Sequence, residues 1–173
     1  ITIDRFHVQK DCYDAMQQVR IRHRREAQRT EVEAREQHKL RNKKNAEARK
    51  RRLEKNGGKR KGKQGRKPNR KNEKYEPVRL SNGDTVCELL TRSRYLLMTS
   101  ADKWTATQKI RARLLFELYP DMKTAYSISH SLRMIFNNKN ATRESGKKSL
   151  AQWYAKVGEF GDENFNTVAA TIY

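Results

Sequence analysis

Between Asn42 and Lys74 the chain carries only three apolar residues, Ala46, Ala48 and Leu53, and no stretch so poor in them can contribute to a packed core. This segment divides the molecule before any element is assigned. Residues 20 to 74 hold 24 Lys+Arg against 7 Asp+Glu, and they account for +17 of the +20 net charge of the 173-residue chain. A charge of that size favours polyanionic partners over the substrates of most small enzymes. From residue 75 onward the balance reverses: 43 of the last 99 residues are apolar, enough to build a core.

Other classes are excluded by what the chain lacks. It has no apolar run long enough to span a membrane, and ITIDRFHV is neither a signal peptide nor a transit sequence, so a cytoplasmic setting is the default expectation. Cys12 and Cys87 stand without CxxC spacing or a histidine pair, which speaks against a disulfide framework or a zinc site. The chain opens on Ile1 inside an apolar run and closes on Thr171, Ile172 and Tyr173 inside another, as expected of a piece of something longer.

Helix dominates the expected structure. Gln9 to Lys55 has no proline or glycine and is rich in Ala, Glu, Arg and Lys, so one long helix is predicted over 9–55. Cys12, Met16 and Val19 form an apolar stripe that thins beyond Arg22, so the helix should leave the core near Arg25. Residues 56–77, with GGKRKGKQGRKPNRK at their heart, read as a basic disordered linker. Within 78–173, Asn82-Gly83-Asp84 marks a turn, and Thr85 with Glu88 and Thr105 with Gln108 are capping boxes. Helices are predicted over about 85–98, from Thr105 to Tyr119 with Ile110, Leu114, Leu115 and Leu118 on its face, and from Asp121 with Met122, Ala125, Ile128, Leu132, Ile135 and Phe136. A polar loop follows at 137–148, then short helices around Leu150–Val157 and Phe165–Ile172.

The first eight residues are the exception. Ile1, Thr2, Ile3, Phe6 and Val8 suggest a short buried strand ending near Asp4 or Arg5. An acid at a strand end can project into a reactive crevice, whereas an acid before a helix commonly caps the following turn.

The string Ile3-Asp4-Arg5-Phe6-His7-Val8, followed by an arginine-bearing helix and an all-helical stretch, resembles the catalytic core of bacterial insertion-sequence transposases of the ISL3 family. SRYLL at Ser93–Leu97, KWT at Lys103–Thr105, LLFELYP at Leu114–Pro120 and LAQWY at Leu150–Tyr154 are similar to the helical insert those enzymes carry before their last catalytic acid. The resemblance implies a mainly α chain: one short strand of a ribonuclease H-like α/β core over 1–8, a long basic helix, and a helical insert domain over 78–173. It also implies that Asp4 is the second acid of a DDE triad and a Mg²⁺ ligand, the first aspartate and the final glutamate lying outside the chain. Glu159 and Glu163 fall too early in the pattern to be assigned.

The chemistry implied is DNA transposition by metal-dependent cleavage and strand transfer, because two hard divalent ions held by carboxylates can neutralise both the attacking and the leaving oxygen. One acid cannot hold two ions, so this segment alone should be inactive. The implied partners are transposon-end and target DNA, with homo-oligomerisation expected of the complete protein. Arg5, Arg20, Arg22, Arg24, Arg25, Lys43, Lys44, Arg51, Arg52, Lys59, Arg60 and Lys61 are the candidate DNA-contacting residues. With no Phe, Tyr or Trp between Asp14 and Lys74, these contacts should be electrostatic and sequence-independent. His7 either faces the metal crevice or DNA or packs at the junction, and Arg5 either meets phosphate or is a solvated charge. The rival reading is a non-enzymatic protein that binds the backbone of DNA or RNA. A coiled coil is disfavoured because apolar heptads are not sustained after Arg22.

Overall fold

A computed structural model describes residues 4–55, 57 and 74–172. Among the described residues six α-helices follow in order: α1 (Arg5–Lys55), α2 (Val86–Leu96), α3 (Ala106–Leu118), α4 (Pro120–Asn137), α5 (Arg143–Phe160) and α6 (Glu163–Ile172), with one 3₁₀ turn at Ala101–Lys103. No strand occurs among the described residues. Two compact units are present, one formed by Ile1–Glu26 with Arg79–Tyr173 and the other by Ala27–Val78, and α1 contributes to both.

The strand expected over 1–8 is corrected in its second half. Ile1, Thr2 and Ile3 lie outside the described residues, but Arg5 to Val8 are the first turn of α1. The reason lies in the spacing of Val8, Cys12, Ala15, Met16 and Val19, all buried. Steps of three and four place Val8 on the same helical stripe as the rest, so the helix extends back until Asp4 caps it. Phe6, expected inside a buried strand, is 72% exposed. Of the linker expected over 56–77, only residues 57 and 74–77 are described, and they form no helix or strand.

Local signals set the helix starts in the first unit. Thr85 and Glu88 exchange side-chain and backbone hydrogen bonds ahead of α2, as do Thr105 and Gln108 ahead of α3. Pro120 occupies the first position of α4, where its missing N–H costs nothing. A third box, Thr142 with Ser145, starts α5 at Arg143, so half of the loop expected at 137–148 is helix. Gly161, at φ +66°, ends α5 in the left-handed conformation that glycine adopts without a Cβ clash.

The core of this unit is the apolar stripe of α1 together with Leu89, Leu90, Leu96 and Leu97 around α2, Leu115 of α3, and Met122, Ile128 and Leu132 of α4. Trp153 and Phe165 add the largest buried rings. The face expected for α3 is corrected: Ala112 and Leu115 are buried, while Ile110 and Leu118 are 54% and 44% exposed. The buried positions Ala112 and Leu115 lie three residues apart on one face, with Ile110 on the opposite side and Leu118 at its edge, while Arg111 Nε donates to Asp84 Oδ2 at 3.1 Å. In the second unit, Tyr75 packs edge-on to His38 with ring centroids 5.8 Å apart, and the Arg35 guanidinium lies 5.9 Å from its ring centre. No helix among the described residues is long and apolar enough to cross a membrane.

Candidate catalytic acid and nucleic-acid interface

Asp4 stands immediately before α1 and caps it. Its Oδ1 accepts the Phe6 N–H at 2.9 Å and its carbonyl accepts the Val8 N–H at 3.2 Å. Oδ2 lies 2.7 Å from His7 Nδ1, with side chains 58% and 73% exposed for the acid and the histidine. The Phe6 amide first, and His7 after it, hold the Asp4 carboxyl below the usual range, so the group is an anion at neutral pH. Of the two roles open to this acid in the sequence, capping is therefore observed directly. His7 does not pack into a junction, since it projects from the first turn beside Asp4.

The described residues do not by themselves fit a magnesium site. Magnesium takes an octahedron of oxygen ligands anchored by one or more carboxylates, and among the described residues no group of three His, Cys, Asp or Glu side chains is placed to hold a metal ion. Asp4 offers a single carboxylate with a histidine already against it.

The expected DNA-contacting residues separate into distinct environments. Arg20 is 5% exposed, and it donates from Nε to Gln17 Oε1 at 2.6 Å and from Nη1 to the Leu90 carbonyl at 3.0 Å. Burial, and after it the Arg24 and Arg94 charges, lower its pKa, but an arginine stays protonated at neutral pH and braces α1 against α2. Arg22 pairs with Asp162 at 3.2 Å, which compensates its charge locally, and Arg24 is half-buried with its Nε without a hydrogen-bond partner. Arg25 is exposed. Lys59, Arg60 and Lys61 lie outside the described residues.

Lys43, Lys44, Arg51 and Arg52 are all exposed on the Ala27–Lys55 part of α1, where eleven basic residues face five acidic ones and every basic side chain is exposed. At 100° per residue, the eight basic positions from Arg41 to Lys55 are distributed around the whole helix rather than along one stripe. Such a cylinder of charge suits backbone neutralisation and has no single reading face for base edges.

Arg5 Nη1 donates to the Phe136 carbonyl at 3.1 Å, joining the start of α1 to the end of α4. It lines a cleft of about 320 Å³ whose opposite wall carries Arg133, Phe136 and Asn137. Nothing in the sequence announced this pairing, since the residues concerned are more than 120 positions apart. Arg20, by contrast, carried a signal: it follows Met16 by four residues on the apolar stripe.

A family model described as transposase, that of the ISL3 DDE transposases, matches residues 1–173. No curated protein and no solved structure matches the chain. The match takes in both the Asp4 turn and the helices that follow it, and the chain belongs to the ISL3 family of DDE transposases.

Proposed function

We propose that this chain acts in metal-dependent DNA cleavage and strand transfer, with Asp4 as one carboxylate of the catalytic set and the basic part of α1 as a sequence-independent DNA contact. The observation that carries the reading is the family match over residues 1–173. The exposed basic helix supports the DNA partner, and the exposed, ionised carboxylate of Asp4 at the start of α1 supports its role as an oxygen donor.

Divalent ions in such an enzyme neutralise charge on the attacking and leaving oxygens. What the residues of this chain supply is more limited. Asp4 presents a fixed anion, because its capping bond to Phe6 holds one carboxylate oxygen in place. The basic helix brings phosphates close by releasing their counterions, a term that is strong at low salt and weak at high salt. With one assigned acid, residues 1–173 alone are inactive in cleavage on this reading.

Two measurements test the proposal. Duplex affinity of the chain should fall steeply with salt, and changing Lys43, Lys44, Arg51 and Arg52 together to Gln should lower the log–log slope by about 3 to 4, at roughly 0.9 per phosphate contact. An unchanged slope refutes the assignment of this helix. In the complete transposase, Asp4→Asn should abolish magnesium-dependent cleavage and leave DNA affinity nearly intact. Asparagine caps helices about as well as aspartate, so a loss of activity reports on the charge rather than on folding. Surviving cleavage removes Asp4 from the catalytic set.

A further inference from the structure

The cleft between the first turns of α1 and the end of α4 has a composition that the proposed backbone contacts leave unused. From α1, Arg5, Phe6, Gln9 and Tyr13 line it. Met98 closes one side, and Arg133, Phe136 and Asn137 come from α4. No acid lines it, and among the described residues neither guanidinium has an ion-pair partner. Each is nevertheless held, Arg5 by the Phe136 carbonyl and Arg133 by Ser100 Oγ at 3.1 Å, with the remaining donors of the fork uncommitted to an anion.

The other groups are those that hold a flat ring with polar edges. Phe6 is 72% exposed, a cost in water that a stacked ring would remove, and Phe136 and Tyr13 offer further aromatic surface. Gln9 donates from Nε2 to the Ser129 carbonyl at 3.2 Å, while its Oε1 is buried with no hydrogen-bond partner. A buried acceptor without a donor is rare, and a turn of the Gln9 amide toward the cleft would let an N–H on the edge of a ring ligand satisfy it. The Asn137 side chain adds both a donor and an acceptor.

At about 320 Å³ the cleft is at the small end of ligand pockets, too narrow for a duplex and suited to one small ring with its phosphate. Arginine for phosphate, aromatic faces for stacking and amides for edge contacts are how unpaired nucleotides are bound. We infer that this cleft binds a single unpaired nucleotide, the base against Phe6 and Gln9 and the phosphate between Arg5 and Arg133. The inference rests on the transposase reading only for DNA as the nucleotide's source, a strand whose base has left the stack next to Asp4.

The test is a nuclear magnetic resonance titration of the isotope-labelled 173-residue chain with deoxyadenosine monophosphate, and in parallel with inorganic phosphate. Saturable shifts are expected at the side-chain amides of Gln9 and Asn137 and at Arg133. Phe6→Ala should weaken nucleotide binding about fivefold or more, the low end of what one base stacked on an aromatic ring contributes. Phe6 is exposed, so the variant folds, and Arg133→Gln gives a second loss through the phosphate. Equal shifts with phosphate alone would show an anion site and overturn the nucleotide assignment. Shifts confined to residues 27–55 would overturn the cleft. Broadening at the cleft on raising chain concentration without nucleotide would mark it as a contact between copies, and would also overturn it. Failure of the transposase reading is seen separately, in the Asp4→Asn cleavage assay.

Discussion

Replacing Asp84 by Asn should cost about 2 to 3 kcal/mol of folding stability. Its side chain is 4% exposed and accepts from Arg111 Nε at 3.1 Å, from Arg92 Nη1 and from Asn82 Nδ2 at 2.9 Å. Hydrogen bonds to a charged group contribute about 1.5–3 kcal/mol each. The Arg92 side chain is 52% exposed, and solvent screening reduces its share to about 0–1 kcal/mol, whereas Arg111 at 23% exposure retains most of its own. Asparagine keeps one acceptor and turns an NH₂ toward a guanidinium, so roughly one charge-assisted bond is lost with no compensating contact. A total stability of about 5–15 kcal/mol makes that loss easy to measure.

The assay is urea unfolding followed by tryptophan fluorescence, because Trp104 and Trp153 both lie in the first unit. With a denaturant slope of about 2 kcal/mol/M, the midpoint should fall by about 1 M or more. The pH dependence follows in sign. Burial raises the Asp84 pKa, but the Arg111 and Arg92 contacts outweigh it and leave the group below its ordinary value. A depressed folded pKa contributes stability above the unfolded pKa of about 4 and loses it as pH falls through the folded value. The gap between the parent chain and Asp84→Asn should therefore narrow as pH drops below about 4. A loss under about 0.5 kcal/mol at neutral pH, or a gap that widens in acid, refutes the role given to Asp84.

Two further outcomes are expected. Trp153 is 1% exposed and its Nε1 donates to the Ile128 carbonyl at 3.0 Å, so Trp153→Phe should lose about 1–3 kcal/mol and lower the melting temperature by about 4 °C or more; an unchanged melt removes that bond from the account. Cys12 is fully buried with its thiol pushed up to about 11, chiefly by burial, while Cys87 is partly exposed. Alkylation of the native chain at pH 8 followed by mass spectrometry should label Cys87 well before Cys12, and equal rates would show that the α1 stripe is not closed.

Elements whose signals are local were legible in the sequence. Thr85 with Glu88, Thr105 with Gln108, and Pro120 each specify a helix start within four residues. Thr142 performs the same task with Ser145 in place of a longer acceptor, and a box built from these short polar residues is indistinguishable in sequence from a polar loop. At the N-terminus the β-branched residues Ile1, Thr2 and Ile3 favour a strand, whereas the step of four from Val8 to Cys12 and the capping carboxylate of Asp4 favour the helix that forms. Contacts across long separations left no trace in the pattern: Arg5 with Phe136, Gln17 with the Arg94 carbonyl, and Ser129 with Cys12 depend on how helices pack. The catalytic assignment of Asp4 came from family resemblance, and spacing alone would not have supplied it.

The first unit is discontinuous in sequence, since Ile1–Glu26 completes a body otherwise made from Arg79–Tyr173, with Ala27–Val78 in between. During synthesis the α1 stripe must wait for its partners until the basic segment has been made. Joining two pieces across an intervening chain costs only about 0.6 kcal/mol more for each doubling of its length. Insertions in whatever part of the basic segment is a flexible linker, expected from the sequence over 56–77, therefore carry only this small cost to the folding of the helical domain. If the basic segment contacts DNA as proposed, the number of phosphates it engages would be free to drift, and affinity could be retuned by changes in length that leave Asp4 and the core untouched.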